Sequence, residues 1–563
     1  MKRKTLWGLL AAVLVVTTAC QTAGPTAQPP VPTAAPGTTV VEPTTAPPLP
    51  EPAATKDGGD IIQGMDASFD TLDPHNWTGF FYATMTMVNI YDPLLARNPE
   101  TKEIGPGLAE RWDVSEDGKV ITLYLQKGVK FHDGTAMDAS DVDYAFTRIF
   151  AEETQPNVRT ALASAVDTWK VVDSHTFEIT LKTPSAAFLD SLTYPQLSVV
   201  CKGEVEKWGP DFGQHPCGTG PFMFKEWIPD DHVTLVKNPD YNWPPAHYGR
   251  TGPAYVDSVS IKIIPEATTR QAALEAGDLT VIMYPQNREV PRMIADPNFT
   301  AYPRPRTGMP RVLSLPTDRW PFDDVKVRQA VAYSLNRQEI LDNVWDGVGA
   351  VTSAFLAPGT PCYWDGAEAG GIGYTYDLEK AKSLLAEAGW ELGADGVLVK
   401  DGKPFKVTMS GFPTPVFMTL HQVVQAQLKA VGIEVEIIPL EQAAWMPAIR
   451  QAQYNFSDNQ IGPGSDPSVL FNSQHSSQVY PNGWNTVFYS NPEVDRLLEA
   501  ASSTMDQAER CELYAEVQKI LLQDLPYVPF YAQVDYFLST SKLQGLRFDP
   551  KSLPLYYDAH FEK

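Results

Sequence analysis

Phe405-Lys-Val-Thr-Met-Ser410, Phe417-Met-Thr-Leu-His-Gln-Val-Val-Gln-Ala-Gln-Leu-Lys-Ala-Val431 and Ile433-Glu-Val-Glu-Ile-Ile438 follow one another with only short connections. The first and third read as strands. The middle one places Leu420, Val423, Val424, Leu428 and Val431 at helical spacing, and Gly432 stops it. Strand, helix, strand in this order is a β-α-β crossover, which puts two parallel strands in one sheet. The fold class is therefore α/β.

Other segments agree. Ile121, Leu123 and Leu125 share one strand face, as do Phe177, Ile179 and Leu181, and Val259, Ile261 and Ile263. Asp138 to Phe150 reads as a helix capped by Ser140 or Asp141, with Val142, Ala145, Phe146 and Ile149 as its buried stripe. Tyr376 to Ala388 reads as a second, capped by Asp377 and stopped by Gly389, and Pro492 to Leu525 as one long helical region. At 563 residues the chain has room for more than one domain, and no internal repeat is visible.

Acidic residues outnumber basic ones by 68 to 44, a net charge of −24. That disfavours nucleic acid as a partner, since such binders carry a basic face. Proline is abundant, at 49 residues, and ten of these fall between residues 21 and 56 among Thr and Ala, with no aromatic. Such a stretch buries too little apolar surface to offset chain entropy and reads as an extended tether. Before it, Lys2, Arg3 and Lys4 precede the apolar run Leu6 to Val16. Eleven residues at the helical rise span only about 16 Å, too short for a bilayer, so residues 1–19 read as an export signal. Small residues before Cys20 resemble a bacterial lipobox, although Thr17 stands where Leu is usual; the expectation is that Cys20 is lipidated and residues 20–56 tether the body to the membrane.

Catalytic motifs are missing. The nine His are scattered, and there is no HExxH, CxxC, GxSxG or phosphate-binding glycine loop. Carboxylates abound, yet none is singled out as a glycosidase acid or base. No catalytic residue, metal or cofactor is expected, and the chain reads as a non-enzyme.

Against this background several segments, in order, resemble the solute-binding lipoproteins of ABC importers of the dipeptide, oligopeptide and nickel type, extracellular solute-binding protein family 5. They are Leu108-Ala-Glu-Arg-Trp112, Leu125-Gln-Lys-Gly-Val-Lys-Phe131, Asp141-Val-Asp-Tyr-Ala-Phe146, Gly218-Thr-Gly-Pro-Phe222, Asn238-Pro-Asp-Tyr241, Pro265-Glu-Ala-Thr-Thr-Arg270, Phe322-Asp-Asp-Val-Lys-Val-Arg-Gln-Ala330, Asn491-Pro-Glu-Val-Asp495 and Leu525-Pro-Tyr-Val-Pro-Phe530. The resemblance covers roughly residues 60 to 560. It implies a two-lobed, type II periplasmic-binding-protein-like fold with an extra subdomain in the N-terminal lobe. Lobe I would take 57–314, with the subdomain near 95–215, lobe II 315–528, and 529–563 would return to lobe I. The chain would cross near Val312 to Thr317 and come back near Tyr527 to Val534.

The implied function is capture of a peptide or peptide-like solute in the cleft by hinge closure and delivery to ABC permease subunits, outside the cytoplasm. The alternatives are an oligosaccharide or a metal chelate on the same fold, or a secreted glycoside hydrolase. The candidate ligand-binding residues are Asn76, Trp77, Phe412, Trp445, Gln460, Gly462, Asp466, Trp484 and Asn485, since such clefts combine aromatic walls with a few placed polar groups. Trp77 and Trp445 equally suit a packing role. Peptide-binding relatives often read Gly-Trp-x-Ala-Asp-Tyr-x-Asp-Pro where this chain runs through Gln460 to Asp466-Pro467, and Pro463 occupies the position of the ammonium-anchoring Asp. Proline has neither charge nor donor. Asp458 is a candidate substitute. Cys201 and Cys217 are candidates for a disulfide contributing about 3 kcal/mol, while the pairing of Cys362 and Cys511 stays open.

Overall fold

The computed structural model describes residues 55–562 apart from 57, 79–80, 155, 162, 368–372, 452, 461–465 and 480–481. The expected export signal, Cys20, nearly all of the tether, Gly462 and Pro463 lie outside the described residues. Among the described residues no helix is long and apolar enough to cross a membrane.

Thirteen strands build two large sheets: β1 (Asp60–Met65), β2 (Phe222–Ile228), β3 (His232–Lys237), β4 (Ser258–Ile263), β5 (Val281–Met283), β6 (Phe299–Pro305), β7 (Arg311–Ser314), β8 (Ala350–Val351), β9 (Lys406–Gly411), β10 (Glu434–Pro439), β11 (Phe456–Gln460), β12 (Tyr527–Ala532) and β13 (Val534–Thr540). The first sheet runs β6-β13-β5-β1-β4-β3-β2, and the second β8-β12-β7-β11-β9-β10. In the first, β4 and β5 flank β1 in parallel while the outer pairings are antiparallel. Each sheet sits in its own apolar core, one including Ile61, Val259, Ile261 and Val281, the other Val312, Met409, Leu428 and Phe456.

The crossover read from the sequence is present. β9 and β10 are parallel, Lys406 opposite Glu434 through Gly411 opposite Pro439. They are joined by α1 (Pro415–Lys429), which buries Leu420, Val424 and Leu428. The helix starts two residues before the expected Phe417, because Pro at the first helical position lacks only an N–H that would have been unpaired anyway, and Thr414 accepts the Phe417 amide as its cap. A buried Leu contributes about 1.5–3 kcal/mol, so this one face holds the crossover on the sheet.

The chain passes from the first sheet to the second between Pro305 and Arg311, and back at Gln533. The two passages lie side by side. Pro305 pairs with Val534, the Arg306 amide donates to the Gln533 carbonyl at 2.9 Å, and Arg311 pairs with Tyr531.

A four-stranded antiparallel sheet from residues 109–181 pairs with neither, although its Ile121, Leu123 and Phe177 share the apolar core of the first, and the helix Ala139–Phe150 packs on it through Val142, Phe146 and Ile149. That helix is capped by Asp138, not by Ser140 or Asp141: Asp138 accepts the Ser140 amide and Asp141 reaches back to the Asp138 amide in a capping box. The expected long helix after Pro492 is two, Pro492–Ser503 and Gln507–Asp524. The Thr504 hydroxyl turns back on the Ala500 carbonyl, and Asp506 caps the second helix through the Glu509 amide. Cys201 is bonded to Cys217 and Cys362 to Cys511.

Candidate functional site

Strand direction brings chemistry to the two passages. β9 and β11 are parallel and end at Gly411 and Gln460, and antiparallel β7 begins beside them at Arg311. In open α/β sheets ligands bind outside the carboxyl ends of strands. Here Asp458 is the hub. It accepts Arg311 Nη1 at 2.7 Å on one oxygen and faces His421 Nε2 at 2.7 Å on the other. All three are buried. Gly411 permits this approach, since a Cβ there would lie 2.0 Å from the His421 ring. Burial and the nearby Arg306 charge push the Arg311 guanidinium down, against the pull of Asp458. Arg311 also donates to Gln460 at 3.4 Å and lies 4.5 Å from the Phe417 ring centre.

An aromatic wall adjoins. Phe412, the residue after β9, packs on Trp445 with ring centres 4.4 Å apart and on Phe417 at 5.8 Å. Trp445 is buried, and among the described residues its indole N–H has no hydrogen-bond partner.

The first sheet answers from its own carboxyl ends. β1, β5 and β6 all end on one edge, followed by Asp66, Tyr284 and Arg306. Arg306 pairs with Asp535 at 3.1 Å and donates to the Tyr284 hydroxyl at 3.4 Å. Burial works against the Arg306 charge, but Asp535 outweighs it and raises the pKa. Asp66 accepts the Tyr82 hydroxyl on Oδ2 at 3.2 Å, while among the described residues its buried Oδ1 has no hydrogen-bond partner. Burial raises the Asp66 pKa, with Arg270 pulling the other way.

The sequence candidates divide. Phe412, Trp445 and Gln460 come together around Arg311. Asp466 does not face open space: both its oxygens hold Arg510, at 2.6 and 2.7 Å, and it is buried. Burial alone would raise its pKa, but Arg510 and Ser468 outweigh it and hold the carboxyl below its ordinary 3.8. Asn485 is fully buried and closes its own loop, donating to the His475 and Tyr489 carbonyls and accepting the Tyr489 amide. Asn76 donates to Asp73, which in turn binds Arg148. Trp77 packs on the first core, and Trp484 is 39% exposed. Asp458, the candidate substitute anchor, is already engaged on both oxygens. Sequence reasoning missed Arg311, His421, Asp66, Tyr284, Arg306 and Asp535. Each stands at or beside a strand end or on the crossover helix, a signal visible only once strand directions are known.

Residues 103–482 match the family described as bacterial extracellular solute-binding proteins, family 5 middle. The chain belongs to this family. It is 27% identical over 511 residues to the dipeptide-binding protein of Escherichia coli, covering 84% of this chain and 89% of that one. It is 28% identical over 494 residues to heme-binding protein A of Haemophilus influenzae, covering 84% and 86%. Among solved structures, the ABC transporter-associated periplasmic binding protein DppA of Helicobacter pylori, in complex with the peptide STSA, superposes with a TM-score of 0.73 at 27% identity, over 90% of this chain and 99% of that one. NikA of Brucella suis gives a TM-score of 0.78 at 23% identity, over 89% and 100%, which speaks to the fold. The family 5 fold is thus the two-lobed, type II periplasmic-binding-protein architecture, with an extra subdomain in the N-terminal lobe. Family 5 members are extracytoplasmic binding proteins, and the relatives named here are of that kind, not enzymes.

Proposed function

We propose that this protein is the lipid-anchored, extracytoplasmic receptor of an ABC importer and that it closes about the passages 306–310 and 533 on a peptide-like solute. One lobe would be the body of the seven-stranded sheet, the other that of the six-stranded sheet. The observation that carries the reading is the convergence of both sheets' carboxyl ends on those passages: Asp66, Tyr284 and Arg306 from one, Arg311, Gln460 and the Phe412–Trp445 wall from the other. A solute touching both groups favours the closed form by its differential affinity. A peptide backbone suits this set, since it offers donors to Asp66 Oδ1 and acceptors to the Trp445 indole. The relatives support the class: one is a dipeptide-binding protein and one is bound to the peptide STSA.

With proline at 463, a free peptide ammonium has no carboxylate at that position, and Asp458 is engaged elsewhere. Solutes with a blocked amino terminus should therefore bind as well as free ones. A thermal-shift screen of paired free and N-acetylated di- to nonapeptides tests this. The reading is supported by stabilisation that disappears in Asp66→Ala and Arg311→Met. It fails if no peptide of either kind stabilises the protein.

A further inference from the structure

A cavity of about 80 Å³ lies in the N-terminal body, away from the site just described. Its wall is drawn from the segments around residues 88–97, 193–195, 241–248 and 549–557. Four tyrosines and five prolines line it. Tyr241, Tyr248 and Tyr557 make an edge-to-face cluster with ring centres 4.7–5.3 Å apart. Its carboxylates are already engaged. Asp92 accepts the Tyr241 hydroxyl, the Thr219 hydroxyl and the Trp243 indole, and Asp549 accepts the backbone amides of Lys551 and Leu553. Arg97 is engaged too, by Asp190 and the Lys102 carbonyl.

Lys551 is different. Its ammonium stands 2.7 Å from the Tyr194 ring centre, and among the described residues it has neither an ion pair nor a hydrogen bond. His247, on the same wall, has a buried Nε2 that meets no hydrogen-bond partner among the described residues. Lys551 is partly buried, and burial and Arg97 push its pKa down to about 8 while Asp190 and Asp549 resist. An apolar, aromatic cavity with a few convergent polar donors has the make-up of a small-molecule site.

We infer that this cavity is a second ligand site, independent of the inter-lobe cleft, and that it takes a small monocarboxylate with an apolar body. The carboxylate would meet the Lys551 ammonium and the body would lie against Tyr241 and Tyr557. The cavity is smaller than the 150 Å³ or so that holds a benzene ring, so the ligand is of the size of a short branched acid.

Calorimetric titration of the full chain with sodium isobutyrate, and with its neutral isostere isobutyramide, tests this. Isobutyrate is expected to bind at least about tenfold more tightly than isobutyramide. Lys551→Met should remove that difference, and Ala96→Leu, which fills the cavity wall without touching a charge, should abolish both. Stabilisation by peptides should persist in both variants. Equal affinity for acid and amide in the native protein overturns the inference, even if Lys551→Met does not fold. So does undiminished isobutyrate binding in a folded Lys551→Met or Ala96→Leu.

Discussion

Asp466 sits in the stretch where sequence reasoning looks for a solute contact, yet its carboxylate is fastened to Arg510 of the helix Gln507–Asp524. Replacing it should therefore cost stability. In a bidentate pair the charge centres are about 4 Å apart, and at an effective dielectric of 20 that is about 4 kcal/mol of attraction. Removing one partner leaves the other charged and buried, which typically costs about 3–5 kcal/mol. Asp466→Ala should lower unfolding stability in urea by that amount, whereas Asp466→Leu combined with Arg510→Met should cost clearly less than either single change. The pH dependence has a definite sign. The folded-state pKa lies below the unfolded value, so the contribution is complete above about pH 4 and is lost as pH falls through the folded pKa. Native protein should lose stability across that acid window and Asp466→Ala should lose less. If Asp466→Ala unfolds within 1 kcal/mol of native yet no longer responds to peptide, the carboxylate serves the solute and the structural assignment is wrong.

Three further outcomes are expected. His75 is buried, and burial together with Arg148 lowers its pKa to about 4, whereas the unfolded chain takes up the proton near 6.5; stability should fall between pH 6.5 and 4 by up to about 3 kcal/mol from this group, and His75→Gln should flatten that limb in urea titrations at stepped pH. The Cys362–Cys511 bond closes a loop of 149 residues against 16 for Cys201–Cys217. In the chain-entropy model these are worth about 5 and about 3 kcal/mol, so the serine pair at 362 and 511 should melt well below the pair at 201 and 217. Leu428→Ala, on the buried face of the crossover helix, should cost about 2–5 kcal/mol, measured by the urea midpoint, without changing which peptides stabilise the protein.

Much of the architecture was legible because it is local. The spacing of Leu420, Val424 and Leu428 and the alternation of Ile121, Leu123 and Leu125 are periods of a helix and a strand, and both persist in the fold. The limits were also local. The break at Thr504 depends on one hydroxyl turning back on a carbonyl and on Asp506 capping the next helix, alternatives that helical spacing does not separate. The site was less legible. Phe412 and Trp445 were visible as aromatics after a strand end. Asp466, by contrast, looks like an available acid until Arg510, 44 residues away, is placed against it. Arg306 and Asp535 are 229 residues apart and meet only because two passages between the sheets run side by side. No spacing rule connects such residues.

The central claim is that the two lobes close on a solute held between the strand ends at Asp66 and Gln460. Small-angle scattering of the full chain, with and without a saturating amount of the most stabilising peptide, tests it most directly. The account predicts a smaller radius of gyration with peptide and no change in Arg311→Met under the same conditions. A native protein that binds the peptide with an unchanged scattering profile would contradict it.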